Sequence, residues 1–183
     1  MSTLVIADRD GTLIEDKHYL SRPDLISIIP RVKPAIKHLE QASIDLIVAT
    51  NQSGVSRGYF SESSVHLVNR SCQSLLDPDR KVIKQFFYCK HAPKDLCTCR
   101  KPLTGMVDHF LAQNKASYEN IYVVGDRISD ILLALNLRAV PILVLTGKGR
   151  ETCSSVEFSM IKDYCLISKD FYEAVKKITE SSI

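Results

Sequence analysis

The sequence lacks any apolar run long enough to cross a membrane, since its longest apolar runs have about the length of a buried strand. It also lacks a strong excess of charge of one sign, because 24 basic and 21 acidic residues give a net charge of +3 without a long run of lysine or arginine. These absences argue against a membrane protein and against a nucleic-acid-binding protein. No basic leader precedes the first apolar run, so the sequence predicts no signal peptide and a location in the cytoplasm.

Internal repeats and low-complexity segments are also absent from the sequence. A length of 183 residues suits one globular domain with a substantial core. The hydrophobic fraction of 45% and the charged fraction of 25% are ordinary for an enzyme, so neither indicates a disordered or fibrous chain. We therefore expect a single domain over residues 1–183 that acts as a monomer.

Short apolar runs alternate with segments that have helical periodicity. Most of the runs are apolar throughout, which is typical of strands in a parallel sheet with helices on both faces. The alternation predicts an α/β fold with a doubly wound parallel sheet of the Rossmann type. The predicted strands are Thr3–Ala7, Ile44–Ala49, Val82–Tyr88, Ile121–Val124, Pro141–Leu145 and Cys165–Ile167. The predicted helices are Val32–Gln41, Glu62–Leu76 with Ser61 as its N-cap, Gly105–Asn114, Ile128–Leu137 and Asp170–Thr179.

Small polar and acidic residues follow three of the predicted strands. Any one of these strand ends could be an ordinary turn or helix cap. In doubly wound sheets, however, ligands bind beyond the carboxyl ends of the strands. Three such ends together therefore predict one active-site crevice. Their sequences are Asp8-Arg9-Asp10-Gly11-Thr12, Thr50-Asn51-Gln52-Ser53-Gly54 and Gly125-Asp126.

The carboxylates of Asp8 and Asp10 can face the same crevice because the chain turns at Gly11. A phosphate monoester is dianionic, so a carboxylate can attack it only when a cation screens the repulsion. Mg²⁺, which prefers oxygen ligands, suits this role. We predict that Asp8 attacks phosphorus and forms an aspartyl-phosphate. Asp10 is predicted to protonate the leaving alkoxide and then to deprotonate the hydrolytic water.

Other residues have side chains or backbone groups that suit phosphoryl transfer. Asp126 is predicted to complete the magnesium site, and Asp130, one helical turn later, is predicted to orient it. Thr50 offers a hydroxyl group to a phosphoryl oxygen, and the backbone N–H groups of Asn51–Gly54 add further donors.

Arg100 and Lys101 are predicted to supply positive charge to the transition state. An Arg-Lys pair is elsewhere usually a solvated surface feature. Here the pair precedes Pro102, which stiffens the segment, and follows a cysteine-rich stretch. This setting favours a functional role for both cations.

Four potential zinc ligands cluster in residues 89–99. Cys89, His91, Cys97 and Cys99 supply three thiolates and one imidazole, a standard tetrahedral set with no evident open position, so the sequence predicts a structural zinc site. Reduced loop cysteines are the alternative, and a disulfide is disfavoured because Cys97 and Cys99 are too close in the chain to pair. Because Cys99 adjoins Arg100, zinc in this loop would fix the position of the cations.

The remaining cysteines and histidines receive no catalytic role from their spacing. The cysteines suit small buried side chains. Lys148 and Arg150 lie in a glycine-spaced segment after a predicted strand, where they either reach a substrate phosphate or form an exposed turn. The residues without an assigned role are Cys72, Cys153, Cys165, His18, His38, His66 and His109.

The order of these motifs resembles that of the haloacid dehalogenase (HAD) superfamily of phosphatases. The resemblance extends from Ile6 to about Gly149. The cysteine-rich loop directly before Arg-Lys-Pro is similar to the branch that contains histidinol-phosphate and heptose-bisphosphate phosphatases. The matching motifs are Asp8-x-Asp10-Gly11-Thr12, Thr50, Arg100-Lys101-Pro102 and Gly125-Asp126-Arg127-x-x-Asp130.

Within that branch, three stretches are more similar to the heptose-bisphosphate phosphatases, namely Thr50–Gly58, Arg100–Met106 and Leu145–Lys148. The resemblance implies a small phosphorylated sugar as substrate, with removal of the 7-phosphate of D-glycero-D-manno-heptose 1,7-bisphosphate in the synthesis of bacterial lipopolysaccharide or a related glycan. The alternative substrate is histidinol phosphate.

The resemblance also implies which residues bind metals and substrate. His18 and Arg127 depart from the pattern, since glycine and lysine are usual at these positions. Mg²⁺ is expected at Asp8, the carbonyl of Asp10 and Asp126, and Zn²⁺ at Cys89, His91, Cys97 and Cys99. Substrate contacts are expected from Asp16, Lys17, His18, Tyr19, Thr50, Asn51, Gln52, Ser53, Arg100, Lys101 and Arg127.

The chain leaves no room for a cap domain, because the segment between Thr12 and the first predicted helix is short. Residues 50–99 are already assigned to a helix, a strand and the zinc loop. A capless HAD-like fold is therefore expected. A non-catalytic zinc-binding module is a further alternative, although such a protein would have no need of both Asp8 and Asp10. A phosphotransferase or mutase is disfavoured, since mutases normally need a closing cap to exclude water.

Overall fold

The computed structural model of the protein describes residues 2–114 and 118–180. Met1, residues 115–117 and residues 181–183 lie outside the described residues, although the single domain predicted over residues 1–183 includes them. Within the described ranges, a six-stranded sheet carries helices on both faces. This is the doubly wound α/β fold that the sequence predicts.

All paired strands of the sheet run parallel. Their order is β3-β2-β1-β4-β5-β6, so the chain starts near the centre, moves to one edge, and then returns to build the other half. The direction of winding changes between β1 and β4, which places the carboxyl ends of β2, β1 and β4 side by side. The strands are β1 (Thr3–Ala7), β2 (Asp45–Asn51), β3 (Ile83–Cys89), β4 (Asn120–Gly125), β5 (Val140–Val144) and β6 (Leu166–Ser168).

The helices largely follow the connections that the sequence predicts. Ser61 caps the second helix as expected, because its Oγ accepts a hydrogen bond from the Ser64 N–H at 3.3 Å. The helices are α1 (Val32–Gln41), α2 (Glu62–Leu76), α3 (Gly105–Gln113), α4 (Ile128–Leu137), α5 (Gly149–Cys153), α6 (Val156–Ser159) and α7 (Phe171–Glu180), with single 3₁₀ turns at Pro23–Leu25 and Lys162–Tyr164.

The core consists of two apolar layers, one on each face of the sheet. All five residues of β1 are buried, and alternate side chains enter opposite layers. Val5 and Ala7 pack with α1 and α7, whereas Leu4 and Ile6 pack with α3 and α4. This two-sided burial explains why the central strands are apolar throughout.

The structure differs from the predicted elements mainly between β5 and β6. The sequence predicts no helix in this stretch, yet α5 and α6 both lie there. They contain only 5 and 4 residues, too few for a helical periodicity to be recognised. The weak strand predicted at Cys165–Ile167 is present, one residue later, as β6.

No helix in the described ranges is both long and apolar enough to span a membrane. The two connections where a cap could be inserted are loops: between β1 and α1 the described chain forms one 3₁₀ turn and two isolated β-bridges, and between β3 and α3 it forms no helix or strand. The predicted capless fold is therefore confirmed.

Candidate active site and metal centres

A cavity of about 580 Å³ opens at the carboxyl ends of β1, β2 and β4. Its volume is in the usual range for a small-molecule site. The strand order brings the three polar strand ends together there, as the sequence predicts. The lining residues are Asp8, Asp10, Asp16, His18, Tyr19, Leu20, Thr50, Asn51, Gln52, Ser53, Arg100, Lys101, Arg127, Ile128, Ser129, Lys148, Glu151, Thr152, Ser155 and Glu157.

Asp8 forms a buried ion pair with Lys101 at the floor of this cavity. The Lys101 ammonium lies 2.8 Å from Asp8 Oδ1 and 2.6 Å from Asp130 Oδ1, and it donates to the Ala49 carbonyl at 2.6 Å. Burial by itself lowers the pKa of Lys101, but the charges of Asp130 and Asp8 outweigh it and raise the pKa above its usual value. Lys101 is therefore a fixed positive charge that touches the predicted nucleophile.

Asp8, Asp126 and Asp130 form a buried cluster in which one oxygen of each carboxylate lies within 4.8 Å of the others. Burial and the charges of Asp8 and Asp130 raise the pKa of Asp126 to about 8. Burial also raises the pKa of Asp130 to about 6, although the Lys101 charge opposes this shift. Three carboxylates this close are stable as anions only when cations neutralise them.

Asp126 has the properties of a metal ligand. Its Oδ1 atom is buried and has no hydrogen-bond partner among the described residues, whereas its Oδ2 atom accepts the Lys148 backbone N–H at 2.7 Å. A buried carboxylate oxygen without a donor is costly unless it binds a cation. The cluster thus fits Mg²⁺, for which carboxylate oxygens are preferred ligands.

Two glycines make room for the Asp126 carboxylate. A Cβ atom added at Gly11 or at Gly147 would overlap Asp126 Oδ2, and both glycines have positive φ angles, +85° and +51°. Thr152 of α5 donates from Oγ1 to the Asp126 carbonyl at 2.8 Å. The segment after β5, including α5, therefore forms one wall of the predicted metal site. The sequence predicts neither contact: for Lys148 it left open a substrate phosphate or an exposed turn, and Thr152 had no predicted role.

Asp130 contacts residues on both sides of the predicted metal site, while its predicted role in orienting that site stays a prediction. Its Oδ2 accepts the Arg127 backbone N–H at 3.0 Å at the start of α4, and its Oδ1 contacts Lys101. A Cβ at Gly125 would overlap the Asp130 side chain, so the end of β4 packs directly against it. Asp130 consequently fixes both the helix that follows Asp126 and the cation beside Asp8.

The Asp10 carboxylate lies among several hydrogen-bond donors. It accepts from Gln52 Nε2 at 2.8 Å and contacts Thr50 Oγ1 at 3.4 Å. Arg9 pairs with it as well, with Nη2 2.9 Å from Asp10 Oδ2. Sequence analysis assigned no role to Arg9, whose side chain is only 1% exposed.

The predicted substrate contacts at the end of β2 and just after it all line the cavity, but the side chains of Thr50, Asn51 and Gln52 are already engaged. Asn51 Nδ2 donates to the Lys101 carbonyl and Asn51 Oδ1 accepts the Lys101 N–H, both at 3.1 Å. Gln52 Nε2 donates to Asp10 and, at 2.9 Å, to Thr50 Oγ1. These two amides therefore orient the predicted catalytic residues in this structure, and a direct substrate contact from them stays a prediction.

The segment from Asp16 to Tyr19 forms one rim of the cavity. Asp16 pairs with Arg127 at 2.7 Å, and its Oδ1 accepts the His18 backbone N–H at 3.1 Å. His18 and Tyr19 both have positive φ angles, 44° and 59°. This conformation explains why glycine suits the position of His18 in similar sequences. Lys17 lies close to Glu15 and is not among the lining residues, so its contact with substrate stays a prediction.

The four predicted zinc ligands converge in the loop after β3. The Sγ and Nδ1 atoms of Cys89, His91, Cys97 and Cys99 lie within 4.8 Å of one another, and individual pairs are 3.3 to 3.9 Å apart. Zinc–sulfur bonds of about 2.3 Å in a tetrahedron require ligand atoms separated by about 3.8 Å. The cluster therefore fits a structural Zn²⁺.

The zinc loop, residues 89–99, is connected to the cavity through hydrogen bonds. Arg100 Nη1 donates to the His91 carbonyl at 3.0 Å, and the Gln52 N–H donates to the Cys89 carbonyl at 2.7 Å. Both Arg100 and Gln52 line the cavity. Metal bound in this loop would therefore hold the cation-bearing wall in place.

Comparison with known proteins identifies the family. A HAD-hydrolase-like family model matches residues 98–163. The D-glycero-β-D-manno-heptose-1,7-bisphosphate 7-phosphatase of Bordetella bronchiseptica is 35% identical over 150 residues, which cover 81% of this chain and 84% of the relative. The chain belongs to the family of these phosphatases, within the HAD superfamily. The corresponding enzyme of Haemophilus ducreyi is 36% identical over 153 residues, covering 79% of this chain and 84% of the relative.

Solved structures agree with this HAD phosphatase assignment. The crystal structure of the B. bronchiseptica D,D-heptose 1,7-bisphosphate phosphatase, complexed with magnesium and phosphate, has a TM-score of 0.85 and 29% identity, and the match covers 99% of both chains. The corresponding protein of Burkholderia thailandensis, with a TM-score of 0.70 and 23% identity over 97% and 98% of the two chains, has the same fold. The predicted resemblance to HAD phosphatases and the predicted magnesium cofactor are therefore confirmed.

The HAD phosphatase motifs were recognisable in the sequence because each is contiguous. The contacts that sequence analysis missed join distant segments, such as Arg9 with α2, and the Lys148 N–H with Asp126. The glycine spacing around Gly147 was the only signal for the second of these contacts. A buried arginine between two aspartates gave no separate signal.

Proposed function

We propose that the protein removes the 7-phosphate of D-glycero-D-manno-heptose 1,7-bisphosphate through an aspartyl-phosphate on Asp8, in the synthesis of bacterial lipopolysaccharide or a related glycan. The observation that carries the proposal is the buried cluster of Asp8, Lys101, Asp126 and Asp130 at the floor of a cavity whose rim bears cations. The names of the relatives support the choice of substrate.

Asp8 is the proposed nucleophile because it combines burial with a fixed cation. Lys101 holds its carboxylate at 2.8 Å, so the nucleophile is oriented before the substrate binds. The carboxylates of Asp8 and Asp126 and the carbonyl of Asp10 would hold Mg²⁺, which neutralises phosphoryl charge when bound. Attack by a carboxylate oxygen on phosphorus forms the Asp8–phosphate bond as the bond to the sugar oxygen breaks.

Asp10 is the proposed acid and base of the two half-reactions. In the first, its carboxyl proton passes to the sugar oxygen as that oxygen leaves phosphorus. In the second, the resulting carboxylate takes a proton from the water that attacks phosphorus, which restores the protonated carboxyl group and frees Asp8. The proposal is supported by the position of Asp10, whose side chain lines the cavity two residues from Asp8 and is held by Thr50 and Gln52.

The phosphoryl oxygens would be held by Thr50, Lys101 and the backbone of the turn Asn51–Gly54. Thr50 Oγ1 is nearly inaccessible to bulk solvent, and Lys101 is also buried, so their interactions with developing charge are weakly screened. Ser53 lines the same part of the cavity. These groups stabilise a transition state whose charge lies on the equatorial oxygens.

The distal 1-phosphate would be held at the cation-bearing rim. Arg100, Arg127 and Lys148 line the cavity, and each also has a protein partner: the His91 carbonyl, Asp16 and Glu151, respectively. The Arg127–Asp16 and Lys148–Glu151 pairs are partly exposed, so exchange of these carboxylates for a phosphate costs little. Histidinol phosphate carries an ammonium group and an imidazole instead of a second phosphate, which this rim disfavours.

The zinc loop is proposed to position Arg100 rather than to take part in bond cleavage. Its four ligands leave no open coordination position for substrate. A purely zinc-binding module would not need the buried nucleophile, its lysine partner and the carboxylates of Asp126 and Asp130 beside them. We therefore favour the enzymatic function over a binding function.

We also propose that residues 1–183 form one catalytic domain that acts as a monomer in the cytoplasm, without nucleic acid or membrane partners. The match over 99% of both chains with a single HAD phosphatase structure supports the single domain. The net charge of +3, without a basic run, supports the absence of a nucleic-acid partner.

The proposal is tested by identifying the product of heptose 1,7-bisphosphate with phosphorus NMR in the presence of Mg²⁺. We expect one equivalent of inorganic phosphate and a stable heptose 1-phosphate. A matched variant, Arg100→Ala, is expected to lower kcat/KM for the bisphosphate about tenfold or more, and that for a sugar monophosphate by less, because one charge-assisted contact to the distal phosphate is lost. Release of the 1-phosphate, or no release at all, would overturn the proposal.

A further inference from the structure

Arg9 is the largest fully buried polar side chain of the described chain, at 1% exposure. Its guanidinium forms a fork with the neighbouring carboxylate: Nε donates to Asp10 Oδ2 at 3.1 Å, and Nη2 donates to Asp10 Oδ1 at 3.2 Å. A buried ion pair is weak as a source of stability, because desolvation offsets most of its Coulomb energy. The arrangement therefore calls for a functional explanation.

The other side of the guanidinium is anchored to helix α2. Arg9 Nη1 donates to Asn69 Oδ1 at 2.7 Å, and Asn69 is only 6% exposed. Asn69 lies in the middle of α2 and is separated from Arg9 by 60 positions in the sequence. A rigid helix thus fixes the guanidinium, and the guanidinium fixes the Asp10 carboxyl group.

The two oxygens of Asp10 have different surroundings. Oδ2 receives Arg9, Gln52 at 2.8 Å and Thr50 at 3.4 Å. Among the described residues, Oδ1 receives one hydrogen bond, from Arg9 at 3.2 Å. The donors around Oδ2 leave it no room to carry a transferable proton. Oδ1 retains lone-pair capacity for such a proton.

We propose that Arg9, held by Asn69, is a positioning residue that fixes the Asp10 carboxyl group so that Oδ1 is the atom that exchanges the proton. The inference rests on the proposed phosphatase function. Oδ1 gives its proton to the departing sugar oxygen, and the same atom later takes a proton from the hydrolytic water. Asp10 is therefore protonated again at the end of each cycle. Arg9 touches neither substrate nor phosphorus in this scheme.

The scheme makes a chemical distinction between substrates. An alkyl phosphate, such as a sugar phosphate, expels a basic alkoxide that needs a proton from Asp10. An aryl phosphate with an acidic phenol, such as p-nitrophenyl phosphate, expels a stable anion that does not. Because kcat/KM for both substrates includes only the steps up to formation of the phosphoenzyme, loss of proton positioning lowers kcat/KM selectively for the alkyl substrate.

The test compares kcat/KM for heptose 1,7-bisphosphate and p-nitrophenyl phosphate in the wild-type protein, Arg9→Met, Asn69→Leu and Asn69→Asp. Arg9→Met has a similar unbranched shape without the charge, and Asn69→Leu removes only the acceptor that anchors Arg9. Asn69→Asp keeps an acceptor at the same place. The two Asn69 variants act from a helix outside the cavity lining, so they keep the test decisive if Arg9→Met does not fold.

We expect Arg9→Met to lower kcat/KM for the alkyl substrate about a hundredfold, on the scale of a lost general acid, and that for the aryl substrate by less than about threefold. Asn69→Leu is expected to lower kcat/KM for the alkyl substrate about tenfold, again with little effect on the aryl substrate. Asn69→Asp, which keeps an acceptor, is expected to have a kcat/KM close to that of the wild-type protein. Equal losses for both substrates, or no loss in a folded Asn69→Leu protein, would overturn the inference while leaving the phosphatase function intact. If the wild-type protein hydrolysed neither substrate, the function on which the inference rests would be removed instead.

Discussion

The Asp8 carboxylate is buried with a cation on one side and two further carboxylates nearby. Replacing it by asparagine keeps the shape and removes the nucleophile. We expect Asp8→Asn to lower kcat by at least about 10³, on the scale seen when a catalytic group is removed. The free energy of unfolding does not fall, because one charge leaves a crowded cluster. Phosphate release and urea unfolding check the two expectations, and a Mg²⁺-dependent rate near that of the wild type would exclude Asp8 as nucleophile.

Lys101 combines a structural and a catalytic role at one atom. Lys101→Met leaves the buried carboxylates of Asp8 and Asp130 without their cation, so we expect the free energy of unfolding measured without Mg²⁺ to fall by about 3–5 kcal/mol. We expect kcat to fall at least about a hundredfold. Lys84→Met is the matched control, because the Lys84–Asp45 pair is partly exposed and contributes at most about 1 kcal/mol. A Lys101→Met protein as stable as this control would contradict the ion-pair account.

At the residue scale, the sequence alone predicts a site when the residues that form the site are close together in the chain. Asp8 and Asp10 are two positions apart, and the four zinc ligands lie within one loop, so spacing alone indicated both sites. The role of Asn51 was not foreseen, because its amide pairs with the backbone of Lys101, 50 positions away. Such contacts depend on which loops the sheet brings together, and no local pattern encodes them.

At the scale of elements, α2 ends in a carboxylate that holds the start of β3. Asp77 is 6% exposed, and its side chain accepts the backbone N–H groups of Lys81, Val82 and Ile83 at 3.1, 2.9 and 2.7 Å. These bonds close the connection between α2 and β3.

We expect Asp77→Ala to lower the free energy of unfolding by about 2–4 kcal/mol, because the substitution leaves two buried N–H groups without an acceptor. kcat at 25 °C stays within about twofold of the wild-type value, since Asp77 does not line the cavity. Urea unfolding measures the first effect. Asp77→Asn keeps one carbonyl acceptor and serves as control, with a smaller loss. An Asp77→Ala protein of unchanged stability would show that these bonds contribute nothing.

The strands and long helices were predictable because burial on both sheet faces leaves a continuous apolar pattern. β1 has its predicted bounds, and each of the other five strands differs from its predicted bounds by one or two residues. The short helices α5 and α6 were not predictable, because 5 and 4 residues are too few to show a helical period. The bond from Thr152 of α5 to the Asp126 carbonyl joins segments that are distant in the chain, so no local pattern indicated it.

At the scale of the whole molecule, the two predicted metals have different functions and can be removed separately. We expect EDTA to stop activity quickly by removing Mg²⁺, and added Mg²⁺ to restore it while about one Zn²⁺ per chain stays bound.

We expect Cys97→Ser to lower both the zinc content and the melting temperature, because structural zinc contributes folding free energy. Cys72→Ser, outside the cluster, is the control for zinc content. Fully active protein without zinc in elemental analysis would contradict the structural-zinc site.

The most direct test of the central claim is a comparison of kcat/KM for heptose 1,7-bisphosphate and for histidinol phosphate with saturating Mg²⁺. Both substrates present a primary phosphate to Asp8, but only the bisphosphate presents a second phosphate to Arg100, Arg127 and Lys148. One charge-assisted contact contributes about 1.5–3 kcal/mol, so we predict a preference for the bisphosphate of at least about tenfold. A higher kcat/KM for histidinol phosphate would contradict the assigned substrate, although it would leave the phosphatase chemistry of Asp8 in place.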